Sequence, residues 1–283
     1  MLEGTVAAAV LALSALGLSL VFGVMRVVNV AHGEFFMIGA MLAWWTAKMM
    51  PGGPLIGWVA ALIVAPIAVG ALAYITERLL LRRINYDPEA TIVATIGLLF
   101  VLQQTALSVF GADAKPVAGP FTYRIAFPWF GFSGYKIFVV VASLALLLAV
   151  WWVLAKTKIG LIMRVTQFDR ETATAFGIPV NQVYAGVFVA GAALVAVAAV
   201  LIVPIQQAHY LMGLDPLLMS FIVVIIGGLG SIKGSVIAAL IIGMADGIIS
   251  MFFSPTLAAI IATLAVAIVL VVRPQGLYGV AAR

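Results

Sequence analysis

The sequence predicts an all-α fold, a polytopic transmembrane helical bundle of about eight or nine hydrophobic segments forming one domain over residues 1–283. Three observations carry that expectation. Hydrophobic residues make up 65% of the chain and charged residues 9%, with a mean hydropathy of +1.24, whereas soluble domains average roughly 25% charged residues. The apolar runs are continuous and close to the ~20 residues that a spanning helix needs; they lack the alternation over ~10 residues that marks a barrel strand. The basic residues gather in alternate connections between the runs, as the orientation of a multi-span chain requires.

In chain order the apolar stretches cover about 5–25, 34–50, 55–77, 91–110, 135–155, 183–205, 216–230, 235–253 and 256–272. They make nine segments, or eight if the first two act as one broken unit. Residues 5–25 read as a retained span, because the sequence shows neither a basic leader nor a small-residue cleavage site followed by a polar mature domain. Arg78, Arg82 and Arg83 form one basic loop, Lys156, Lys158, Arg164 and Arg170 a second, and Arg273 with Arg283 the tail; the positive-inside rule makes all three cytoplasmic. The connections at 51–54, 111–134 and 206–215 hold only Lys115, Arg124 and Lys136, with Lys48 at the edge, and are expected outside. Trp44, Trp45, Trp58, Trp129, Trp151 and Trp152 lie near segment ends, as in an interfacial belt. The halves around 5–110 and 183–272 then run in opposite directions. This is an inverted repeat without visible sequence likeness.

The first two runs are broken at Asn29-Val30-Ala31-His32-Gly33-Glu34. Between Leu2 and Ala47 the only ionisable residues are Glu3, Arg26, His32 and Glu34, so the break is expected at, or slightly inside, the membrane surface. Non-helical backbone survives at that depth only when buried in protein or lining a watery cavity. Asn29, His32, Gly33 and Glu34 are therefore candidates for a solute path. The plainer alternative is that Glu34 complements the positive end of the helix it begins, worth about 0.3–1 kcal/mol, while His32 caps it or meets headgroups. Asp246, inside another apolar run, needs a partner or a cavity, because a mid-membrane Asp costs about 2.5–3.5 kcal/mol. It joins the candidate path.

Residues 156–182 form the longest cytoplasmic connection. At helical spacing Val165, Phe168, Thr172, Ala175 and Phe176 fall in one stripe, while Gln167, Asp169, Arg170 and Glu171 take the other side. Gly177 and Pro179 close it. The expectation is one short amphipathic helix, either resting on the protein's own loops and lipid headgroups or docking into a groove of a cytosolic partner. Arg170, on the opposite face, is expected to matter less to docking than the phenylalanines.

Ile226 to Ser235 is glycine-rich, but Lys233 stands between Ile232 and Gly234, which a phosphate-binding loop does not allow. Gly227, Gly228, Gly230, Gly234, Gly243 and Gly247 instead read as close helix-packing positions. The absence of cysteine excludes disulfides and thiolate chemistry on this chain. The net charge of +5 is scattered over short loops and gives no nucleic-acid face. His32 and His209, on opposite sides of the expected membrane, supply no convergent catalytic set. An ion-coupled secondary carrier would place ionisable groups deep in several helices, where only Glu34 and Asp246 qualify, and would leave the amphipathic loop without a role.

Taken together, Asn29 to Glu34 with Met37 and Gly39, Thr95-Ile96-Gly97-Leu98 with Gln103, Asp169-Arg170-Glu171 with Gly177-Ile178, Gly227 to Ser231 with Gly234, and Arg273 to Gly279 carry a resemblance. The chain resembles the integral-membrane permeases of ATP-binding-cassette importers for branched-chain amino acids and related amides, the first of their two permease types more than the second. Val165, where such loops often carry Ala, and Ala238-Ala239, where glycines are frequent, depart from the pattern. The related urea permeases often carry a long extra N-terminal domain that this sequence does not show, which leaves urea or another small amide as the alternative solute. The resemblance implies a pathway formed with a second homologous permease, two cytosolic ATPases that use ATP and Mg, a periplasmic solute-binding protein, and a place in the bacterial inner membrane. It implies no cofactor or metal on this chain. Arg164, Val165, Phe168, Asp169, Glu171, Thr172, Ala175, Phe176 and Gly177 would couple the ATPases to alternating access.

Overall fold

The computed structural model describes residues 2–126, 131–273 and 275–278. Trp129, Pro274, Gly279 and Arg283 lie outside them. Helices α1 (Leu2–Met25), α2 (His32–Met49), α3 (Pro54–Thr76), α4 (Pro88–Phe110) and α5 (Gly134–Lys156) precede the short helices α6 (Lys158–Phe168) and α7 (Arg170–Ala175). Helices α8 (Val180–Ile202), α9 (Leu214–Gly227), α10 (Ile232–Phe252) and α11 (Pro255–Val272) follow. Each of the nine apolar stretches is a helix. The starts follow local chemistry. Pro54, Pro88 and Pro255 occupy first-turn positions whose N–H has no helical partner. The Asp87 carboxylate accepts the Ala90 N–H at 2.8 Å, and the Ser231 and Ser254 hydroxyls accept those of Gly234 and Leu257 at 3.2 Å. The outer connection adds a small antiparallel ribbon, β1 (Arg124–Ala126) on β2 (Gly131–Ser133).

The side on which each helix ends can be traced through contacts. Glu3, at the start of α1, pairs with Lys136 at the head of α5; at the other end Arg26 donates to the Gln167 carbonyl at 3.2 Å. Helix α8 begins beside α7 and ends near residues 203–208, where Ala208 and Lys115 exchange backbone hydrogen bonds of 2.7 and 3.0 Å. Helices α1 and α8 therefore run antiparallel. The packing repeats this inversion: α1 lies on α10 as α8 lies on α3, α2 on α3 as α9 on α10, α2 on α8 as α9 on α1, and α2 on α4 as α9 on α11. The first four helices thus correspond to the last four, upside down, because α5 returns the chain to the face that the basic loops mark as inner before α8 begins. The equivalence shows at the centre, where a Cβ at Gly17 would meet the Gly191 carbonyl at 2.6 Å and one at Gly191 the Gly17 carbonyl at 2.7 Å.

Helices α1, α2, α3 and α8 hold most of the core, with Leu13, Phe35, Met37, Ala65, Val187 and Ala199 fully buried. The outer faces of α4, α5 and α11 expose Val93, Phe100, Leu148, Leu264 and Ile268. Among the described residues six helices are long and apolar enough to cross a membrane, with α9 and residues 256–272 shorter. The chain is a multi-pass membrane protein.

Two local expectations change. Trp58 belongs to the core and not to a belt: it is 5% exposed, its indole N–H donates to the Tyr135 hydroxyl at 3.1 Å, and that hydroxyl donates to the Leu201 carbonyl at 2.8 Å, tying α3 to α5 and α8. The amphipathic connection is two helices, not one. Asp169 is extended (φ −152°, ψ 112°), and its carboxylate accepts the N–H groups of Glu171 and Thr172 and the Thr172 hydroxyl. As an N-cap, Asp competes with the helix it would otherwise continue. The Thr172 hydroxyl and N–H hold the Asp169 carboxyl below the usual carboxylate range.

This arrangement gives a labelling pattern. Glu89, Asp113 and Glu171 are exposed, and the chain has no cysteine of its own. Single cysteines at these positions, treated in intact cells with an impermeant thiol reagent, are expected to react at 113 only. Preferential reaction at 89 or 171 would invert the topology.

Candidate functional site

Helices α2 and α9 both begin halfway across the bundle. After α1 ends, Arg26 takes a left-handed turn (φ +56°) and residues 26–31 fold back along it. Two of their N–H groups are satisfied inside the protein: the Asn29 side-chain oxygen accepts the Ala31 N–H, and Thr95 of α4 accepts the Val30 N–H, each at 3.1 Å. Thr95 in turn donates to the Thr91 carbonyl at 2.8 Å. His32 then donates through Nε2 to the Ser14 carbonyl at 3.0 Å. Ser14 is at the middle of α1, so the break lies deeper than the membrane surface where it was expected. From the other side, residues 203–213 descend until Gly213 presses its backbone against Gly33. Residues 206–215, expected as an outer loop, therefore dip to the same depth.

On the outer side of this meeting point lies a cavity of about 190 Å³. It follows α1 from Ala7 to Ser14, about 10 Å at 1.5 Å per residue, from the outer half of the bundle to its midpoint. Val10, Leu11, Ile202, Met212 and Met219 supply apolar wall, and Ser14, Gln206, His209, Asp215 and Asp246 supply polar groups. The Ser14 hydroxyl is 2.9 Å from that of Ser220.

Of the candidates, Asp246 is on the cavity wall. Asn29, His32, Gly33 and Glu34 are not. They are buried behind it, with Asn29, His32 and Glu34 each 1% exposed. Neither Glu34 carboxylate oxygen has a hydrogen-bond partner among the described residues. His32 touches the cavity only through Ser14, whose carbonyl it holds from the far side. Sequence reasoning missed Ser14, Gln206, His209 and Asp215. The available signal is the run Gln206-Gln207-Ala208-His209 followed by Asp215-Pro216, within the connection expected outside.

The glycine series divides. Gly243 packs on Ala8, Gly247 on Gly4, and Gly227 and Gly234 on each other. Gly230 is in the turn before α10 with φ +78°, against Gly23, and Gly228 has its backbone against Gly276. At the inner face, Phe168 is 87% and Phe176 80% exposed, while Thr166 and Ala173 are buried and anchor α6 and α7. Arg164, Glu171, Thr172 and Ala175 are exposed and Val165 is half-buried; Gly177 ends the segment at φ +79°. The Arg170 guanidinium lies 5.6 and 5.7 Å from the ring centres of Tyr86 and Tyr184, a cation–π seat for α7. Among the described residues no three His, Asp or Glu side chains converge as metal ligands.

An inverted pair of helical halves around a half-membrane cavity, with two exposed phenylalanines displayed at one face, is an architecture that fits a membrane permease. The chain belongs to the branched-chain amino acid transport system / permease component family, whose profile matches residues 1–272. It is similar to the high-affinity branched-chain amino acid transport system permease protein LivH of Escherichia coli K12, 28% identical over 297 residues covering 99% of this chain and 94% of that protein. The corresponding protein BraD of Pseudomonas aeruginosa is 26% identical over 292 residues with the same coverage. A probable branched-chain amino acid transport permease protein LivH of Methanocaldococcus jannaschii is 26% identical over 285 residues, covering 95% of this chain and 89% of that one. No solved structure matches.

Proposed function

We propose that this chain is a transmembrane permease subunit of an ATP-driven importer in the bacterial inner membrane, carrying branched-chain amino acids or related small amino acids and amides. The cavity that descends from the outer face to the midpoint supports this reading most. Its apolar walls suit an aliphatic side chain, and Ser14, Gln206, His209, Asp215 and Asp246 suit the polar end of such a solute. A second homologous permease completes the pathway, a periplasmic binding protein delivers the solute, and two cytosolic ATPases, using ATP and Mg, dock on Phe168 and Phe176. No bond in the solute is broken. The Arg26 to Gln167 bond joins the docking helices to the re-entrant segment that leads to His32, whose ring holds the Ser14 carbonyl of α1, so movement of α6 reaches the floor of the cavity.

The test is uptake of labelled leucine by cells that hold the chain with its partner subunits. Asp246→Asn and Asp215→Asn are expected to lower uptake on the order of tenfold, equivalent to about 1.4 kcal/mol, with membrane abundance unchanged. Wild-type uptake in both variants would remove the cavity from the pathway, and transport of urea but not leucine would assign the alternative solute.

A further inference from the structure

A second concave site lies at the inner end of the bundle, between the end of α3 and the start of α8. On one side Tyr74, Arg78 and Arg82 follow at intervals of four residues through the π-helical turn Glu77–Leu81, which aligns them along one face. Opposite them run Asn181, Ala185 and Val189 at the same interval, with Gln182 and Gly186 alongside. The cleft between has a volume of about 260 Å³.

Its chemistry is graded with depth. At the inner surface it offers two guanidinium groups and two side-chain amides. Two turns further into the membrane its walls are Ala185, Gly186 and Val189, with the flank of Tyr74. The Tyr74 hydroxyl accepts a hydrogen bond from Arg78 at 3.2 Å. Among the described residues neither Arg78 nor Arg82 has a carboxylate partner. Glu77, also in the wall, is 2% exposed and is engaged by the Tyr86 hydroxyl, so the cleft sets two guanidinium groups against one buried carboxyl. A Cβ at Gly186 would meet nothing within 4 Å; the groove is open there.

The geometry points to a binding site for one anionic phospholipid of the inner leaflet. Arg78 and Arg82 take the phosphate, Asn181 and Gln182 the glycerol or headgroup oxygens, and an acyl chain lies along Ala185, Gly186 and Val189. Basic clefts between helices at the cytoplasmic surface suit such headgroups. The depth of the apolar part selects lipid over a cytosolic protein, which cannot reach two turns into the bilayer.

The full-length chain, reconstituted in nanodiscs with equal phosphatidylglycerol and phosphatidylcholine, is extracted and delipidated, and the lipid retained is measured by native mass spectrometry. The wild type is expected to keep phosphatidylglycerol in preference to phosphatidylcholine. Arg78→Gln with Arg82→Gln should lower that retention roughly tenfold or more, and Gly186→Leu should do the same by filling the groove without changing charge. Arg83→Gln, outside the cleft, serves as the folding control and should retain wild-type lipid. Equal retention of both lipids, or wild-type retention in either groove variant, would overturn the site. So would displacement of the lipid by millimolar glycerol phosphate, which would mark a site for a soluble anion.

Discussion

Phe168→Glu and Phe176→Glu are each expected to strip the ATPase subunits from the purified complex and to abolish uptake, while the chain stays in the membrane. Both rings stand almost free of their own protein, 87% and 80% exposed. Neither contributes to the fold it is attached to. Burying each in a partner groove would stabilise the complex by about 1.5–3 kcal/mol, and a carboxylate in its place would be desolvated without a partner. The anchors of these helices, Thr166 and Ala173, stay untouched, as do the flanking spans that carry the insertion signal. Arg170→Ala makes the informative comparison. The structure seats its guanidinium over Tyr86 and Tyr184, so it is more than the solvated charge read from the helical wheel. Its loss should loosen α7 and weaken ATPase retention partially. Wild-type stoichiometry of the ATPases in both Glu variants would exclude docking through this face.

Gly17→Val is expected to remove most of the folded protein. The added Cβ falls 2.6 Å from the Gly191 carbonyl and 3.2 Å from the His32 ring. The nearer atom is backbone, so no side chain can swing aside. Separating α1 from α8 there also moves the His32 bond to Ser14 and the floor of the cavity. The cost should reach or pass the upper end of the about 1–3 kcal/mol typical of overpacking. Gly97→Ala, where a Cβ would meet nothing within 4 Å, should be neutral or gain up to about 1 kcal/mol from helix propensity. Monodisperse yield and thermal unfolding of the two detergent-solubilised variants give the contrast. A Gly17→Val protein that melts with the wild type would show that the crossing is looser than its geometry.

The helices were legible because an apolar run of this length in a membrane has one way to satisfy its backbone. The inversion of the two halves could be read only from the alternation of basic loops. Its physical basis is in pairs such as Gly17 with Gly191 and Gly33 with Gly213, which are far apart in sequence and have unlike flanks. The cavity was legible only at Asp246, where a charge stands in an apolar run. Gln206, His209 and Asp215 sit among other polar residues, and polarity alone does not separate a loop in bulk water from one that descends beside a hollow in the bundle. The helical wheel of 164–176 likewise treats Asp169 as one more polar position and is blind to its competing capping bonds.

The meeting of Gly33 and Gly213 at mid-depth also constrains how the protein is made. Neither α2 nor α9 is a complete span when it leaves the ribosome, since each starts at the centre of the hydrocarbon. Until its cover exists, the Val30 N–H would sit in lipid unsatisfied, at several kcal/mol. Thr95, which takes the Val30 N–H, is synthesised some sixty residues later, and Gly213 more than a hundred after that. The first hairpin must therefore wait near the headgroups and sink inward only once α8 and α9 have been threaded. A nascent chain stalled after α4 would hold its third hydrophobic segment across the membrane while the second remained shallow, and a cysteine placed at Ala31 would pass from reagent-accessible to protected only when synthesis had gone beyond Gly213.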